Sequence, residues 1–156
     1  MAVSFALNVE VPIMNSATFG FTTQDWGQAK LEAVCAIIQA GRRGQTITYS
    51  ELAKQIPSIA IEPHSYAMNG LLDQVSKEED AAGRSILTAL VVRKEDGVPA
   101  EGFWESARDI GRQWKNKDAM WTAEVKRALQ DCQSHPLWHR CARISPAGSS
   151  SQGRLS

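Results

Sequence analysis

The stretch Gln45-Thr-Ile-Thr-Tyr-Ser-Glu-Leu-Ala constrains this chain more than any other, because it fixes where a helix must begin. Thr48 and Glu51 stand in the T-x-x-E arrangement, in which each side chain satisfies a backbone amide that the first helical turn leaves without a partner. Ile47 and Leu52 hold the flanking positions of a hydrophobic staple. The helix so started carries Leu52, Ala53 and Ile56 and must halt at Pro57. A further helix from His64 or Ser65 repeats Met68, Leu71, Leu72 and Val75 as one buried stripe and leaves Asn69, Asp73, Gln74 and Lys77 facing outward.

The neighbouring segments complete a fold pattern. Ser76 and Glu79 form a second candidate capping box, for a short helical turn ending at Gly83. Ile86 to Val92 is almost wholly apolar and partly β-branched, which predicts a central strand. Asp96-Gly97 signals a reversal, so that Ala100 to Phe103 returns antiparallel. A helix bearing Trp104, Ala107 and Ile110 then runs to Gly111, and a last one, capped by Asp118, bears Trp121, Val125, Ala128, Leu129 and Cys132. Upstream, Thr23 or Asp25 caps a helix bearing Trp26, Ala33, Val34, Ile37 and Ile38, which Gly41 and Gly44 stop. Helix, helix, strand pair is the order of a winged helix. The expected class is α+β, with a winged-helix-like core of three helices plus a β-hairpin wing, an N-terminal arm and extra C-terminal helices. The arm spans residues 1–22, where Phe5, Leu7, Val9 and Val11 alternate with polar or small residues. The winged-helix-like domain and its helical extension span 23–135, and a Ser, Gly and Pro rich disordered tail spans 142–156.

Charge bears on partners. Seventeen Lys and Arg balance seventeen Asp and Glu, so a nucleic-acid reader would have to gather its cations on one face. No apolar run approaches the roughly 18 to 20 residues that cross a bilayer, which points away from a membrane partner. The first residues lack a positively charged leader, and three cysteines, Cys35, Cys132 and Cys141, are too few for a disulfide scaffold. Both observations point to a reducing, cytoplasmic setting.

Between about residues 28 and 110 the chain resembles the winged-helix lobe of the alkylguanine-DNA alkyltransferases and alkyltransferase-like proteins. The likeness rests on Gln45-Thr-Ile-Thr-Tyr-Ser-Glu-Leu-Ala, set against the family's Thr-Thr-Tyr-Gly helix start, and on Ile86-Leu-Thr-Ala-Leu-Val-Val-Arg-Lys-Glu-Asp-Gly, set against its Ile-Pro-Cys-His-Arg-Val-Val strand and Asp-Gly turn. The resemblance implies a DNA-binding fold in which Tyr49 matches the tyrosine near the DNA backbone. Thr88 stands where the family has its alkyl-accepting cysteine, and Ala89 and Leu90 stand where it has His and Arg. Alkyl transfer needs an activated thiolate, so the sequence implies none. The family's nucleotide-flipping arginine falls near Asp73, which would repel phosphate.

These patterns predict a non-enzymatic winged-helix DNA-binding protein, with a protein-interaction subunit or adaptor of a larger assembly as the alternative, its partner another protein or a second copy of the chain. Base edges would meet His64, Ser65, Asn69, Gln74 and Lys77. Phosphates would meet Tyr49, Arg84, Arg93 and Lys94. The alternative would draw on the aromatic residues Trp104, Trp114 and Trp138. A distant third reading, a metal-dependent nuclease, would need Asp73, Glu79, Glu101 and Lys94 together, at no distinctive spacing. Cys132, His135, His139 and Cys141 are ligand types that suit zinc, but ten residues broken by Pro136 leave little chain to wrap a closed site, so no metal or other cofactor is expected. Gly97-Val-Pro-Ala-Glu-Gly-Phe lacks the Gly-Lys-Ser/Thr close of a phosphate loop.

Overall fold

The computed structural model describes residues 18–144. Among them run α1 (Thr23–Arg42), β1 (Ile47–Thr48), α2 (Tyr49–Lys54), α3 (Tyr66–Ala81), a 3-10 turn (Leu87–Leu90), β2 (Val91–Val92), α4 (Glu101–Asp109), α5 (Lys117–Ser134) and α6 (Trp138–Ile144). The class is α+β and rich in helix. Its two short strands pair in parallel, Ile47 with Val91 and Thr48 with Val92. Residues 1–17 of the expected arm and the tail from 145 onward lie outside the described residues, whereas 142–144 belong to α6.

Helix α1 is the centre of the core. Its buried face presents Trp26, Ala29, Ala33, Ile37 and Ile38, packed with Leu52, Met68, Leu71, Val75 and Leu90. Burying each such aliphatic side chain contributes about 1.5–3 kcal/mol. Near its end α1 comes so close to α5 that a Cβ on Gly41 would lie 2.2 Å from the Cys132 sulfur. A smaller core of Ile86, Ala89, Phe103, Trp104 and Ala107 sits between the 3-10 turn and α4.

The capping box is formed as expected: Glu51 N donates to Thr48 Oγ1 (3.1 Å) and Thr48 N donates to Glu51 Oε1 (3.0 Å). Ser65 caps α3, accepting from Met68 N at 3.1 Å, and the stripe Met68, Leu71, Leu72, Val75 is buried. Several other expectations fail for identifiable reasons. Ser76 and Glu79 do not start a turn, because α3 runs through them and both find partners remote in sequence. Ile86 to Val92 is not one strand. The Ser85 and Ile86 amides donate to Asp131 and Glu124 of α5, and Trp121 Nε1 donates to Ala89 O, so the chain coils until Val91. Asp96-Gly97 does reverse the chain, with Gly97 at φ 72, but Ala100 to Phe103 enters α4 instead of returning as a wing strand. The caps of α1 and α5 are Thr22 and Asn116, not Thr23, Asp25 or Asp118. Gly41 does not stop α1, which continues to Arg42.

The cysteines also correct the sequence reading. Cys35 of α1 and Cys141 of α6 form a disulfide across 106 residues, and Cys132 is a buried free thiol that burial pushes up to about 12. No helix among the described residues is long and apolar enough to cross a membrane.

Candidate nucleic-acid interface and the pocket behind it

Helices α3 and α4 lie side by side and run in the same direction. Asn69 lies beside Gly102, Ser106 Oγ donates to Asp73 (2.7 Å), Lys77 pairs with Asp109 (3.3 Å), and Arg112 donates to Asp80 (3.0 Å). Both helices therefore start at the same end of the molecule, where Tyr49 links them. Its hydroxyl accepts from Ala100 N at 3.1 Å, and its ring lies 5.4 Å from that of His64. Burial raises the Tyr49 pKa, opposed by the Ala100 amide and by Arg93.

Tyr49, Asn69, Asp73, Ser76, Thr88 and Ser106 line a single pocket, walled also by Phe103 and Gly102. It measures about 10 Å³, room for one water molecule. Ser76 Oγ gives its proton to Leu72 O (2.9 Å), so the 2.6 Å contact between Ser76 and Thr88 is donated by Thr88. No histidine or thiolate lines the pocket to activate that hydroxyl. Thr88 thus serves the packing of the pocket floor.

The nine residues expected to meet DNA divide into two groups. At the start of α3, His64 and Asn69 are exposed and Ser65 half-buried. Lys94 is exposed, with no ion pair among the described residues. The rest are engaged inside the protein. Gln74 accepts from Trp26 Nε1 (2.9 Å), and Lys77 bridges Asp73 and Asp109, its Asp73 hydrogen bond raising its pKa. Arg84 donates twice to Glu79 at 3.0 Å, and Arg93 pairs with Asp96. Tyr49 is buried, so contact with a DNA backbone would need rearrangement.

The remaining candidate constellations are dispersed. Cys141 is in the disulfide, and Cys132 is buried. His135 Nδ1 accepts from Leu137 N, leaving Nε2 to donate to Glu79 (2.8 Å), and His139 is exposed. Among the described residues no three His, Cys, Asp or Glu side chains gather as a metal site. Glu79 is buried away from exposed Glu101 and Lys94, so the nuclease set is not assembled. Of the aromatic residues expected to serve a partner, Trp104 is buried against Trp114 under Lys117, and Trp138 lies under Arg42.

One exposed residue was not anticipated. Tyr66, the first residue of α3, is 87% exposed. At about 100° per residue it falls on the side of α3 opposite the buried stripe, and an aromatic residue in that place was the available signal. No protein family matches the chain, and neither a curated protein nor a solved structure matches it significantly.

Proposed function

We propose that the chain is a non-enzymatic DNA-binding protein whose helical core follows the alkyltransferase-like plan, without its chemistry and, among the described residues, without a β-hairpin wing. The observation that carries this reading is the convergence of Tyr49, Thr88 and the middle turns of α3 on one pocket. In the resemblance, the backbone tyrosine, the reactive-cysteine position and the recognition helix are the three parts that must meet. Here they come from positions far apart in sequence. With threonine hydrogen-bonded where a thiolate would act, and room for no more than one water, the site favours binding at the surface around it without transfer. His64, Ser65 and Asn69 form the polar contact surface, and Lys94 is the cation of the expected set free to meet phosphate.

Of the cations in the expected contact set only Lys94 is outside an ion pair among the described residues, which implies a shallow salt dependence. Binding of a fluorescent oligonucleotide at low salt is expected, with a slope of log affinity against log salt of about −1 to −3, since each neutralised phosphate contributes about −0.9. The reading fails if neither single- nor double-stranded DNA binds at low ionic strength.

The alternative, a protein-docking subunit, draws support from the same uncharged face. Its signature is a mass above that of the monomer in light scattering, sensitive to Tyr66→Ala.

A further inference from the structure

Of the four cations expected to meet DNA, Lys77, Arg84 and Arg93 sit in ion pairs with carboxylates, and among the described residues Lys94 alone of the four does not. Proteins that hold regular duplex chiefly through phosphates use about 6–10 such contacts, so counterion release through this set is a small source of affinity. Stacking of a base on an aromatic ring supplies about 1–3 kcal/mol per base without any charge, and it requires a base that is not already stacked in a duplex.

The outer face of α3 carries rings suited to that. Tyr66 and Phe19 are the exposed large hydrophobics among the described residues, at 87% and 44%. Phe19 lies against Gly70, one turn beyond Tyr66 on the same face, and a Cβ at Gly70 would stand 2.3 Å from its ring. Trp26 supports Phe19 from behind, with centroids 5.5 Å apart. Tyr66 is held on a rigid turn. Ser65 Oγ accepts from Met68 N (3.1 Å) and donates to Glu62 O (2.9 Å), and Met68 is fully buried. The first turn of α3 has no acidic residue, and Asp73, further along this face, is held by Lys77 and Ser106. Glu62 is the exposed carboxylate nearest in sequence.

We propose that Tyr66 stacks on an unpaired base, with Phe19 extending the platform, so that the preferred ligand is single-stranded or mismatch-distorted DNA rather than regular duplex. This rests on the DNA-binding reading above and names its ligand class. The test uses the full chain and 2-aminopurine oligonucleotides of one sequence as single strand, mismatched duplex and matched duplex. Single strand and mismatch are expected to bind more tightly than matched duplex, with the aminopurine emission changed by stacking. Tyr66→Ala should weaken single-strand binding between about fivefold and a hundredfold, the stacking range converted at 1.4 kcal/mol per tenfold, while Tyr66→Phe retains it. Circular dichroism of both variants should match the parent, since the ring packs on no core. Unchanged single-strand affinity and emission in Tyr66→Ala would overturn the stacking role while leaving DNA binding intact. Absence of binding to all three ligands would remove the DNA reading itself. Loss of self-association in Tyr66→Ala, without effect on DNA, would assign the face to a second copy of this chain and also overturn the proposal.

Discussion

The two ends of α3 use polar residues in opposite ways. At its start, His64, Ser65, Tyr66 and Asn69 are turned wholly or partly to solvent. Toward its end, Asp73, Ser76, Lys77, Glu79 and Asp80 are each tied to residues of α4, of the 3-10 turn, of the α5–α6 junction or of the loops beside them. The connection after α3 continues this pattern, with the Ser85 and Ile86 amides capped by Asp131 and Glu124. The same residue types thus build the fold at one end and remain available for recognition at the other. A charge on a helix expected to read DNA is evidence of contact only when no internal carboxylate has claimed it.

The strongest way to break this contrast is to remove Glu79, which is 3% exposed and holds both Arg84 and His135. Glu79→Ala leaves a half-buried guanidinium and a buried imidazole without their acceptor, and should cost about 3 kcal/mol in chemical denaturation. Cleaving the tie between α1 and α6 by Cys35→Ser should cost about 2–4 kcal/mol, read as a lowered denaturation midpoint. Gly41→Ala forces a methyl into the Cys132 sulfur and should cost about 1–3 kcal/mol. Acid should act through the same end of α3. Burial raises the Glu79 pKa, but hydrogen bonds from His135 and Arg84 outweigh it and hold the carboxyl below its ordinary 4.5. Its contribution is therefore complete above that value and is lost as pH falls through the lower folded-state value. Denaturation midpoints measured from about pH 6 down to about pH 3 should decline, with a gentler decline in Glu79→Gln. Smallest of all, Tyr66→Ala should shift stability by no more than about 0.5 kcal/mol in the same assay. A larger shift would mean that the open end of α3 is structural after all.

What could be read from the sequence was local. The Thr48 and Glu51 box acts over three residues, and the stripe through Met68 and Val75 has the period of a helix, so both were legible. The run from Ile86 to Val92 was not, because a continuous apolar segment has no period. Its conformation is decided by Asp131, Glu124 and Trp121, far along the chain. Ser76 and Glu79 imitated a helix start for the same reason: their partners Thr88 and His135 are brought to them only by folding. Among the candidate site residues, Asn69 and His64 could be placed outside by helical phase, whereas the engagement of Lys77 and Arg84 required the neighbouring carboxylates to be in place. The exposure of Tyr66 is legible in phase, since at about 100° per residue it falls opposite Met68, Leu71 and Val75.

The bond between Cys35 and Cys141 makes the intervening chain a closed covalent ring that contains every element from β1 to α5. A protease that nicks a loop inside this ring, such as the connection from 55 to 65, opens the ring without dividing the molecule. The nicked protein would run as one species until a reductant separates its halves. The connection leading to the exposed α3 start can therefore be cut while its two sides stay tethered through a disulfide that lies beside Gln55 and Pro57.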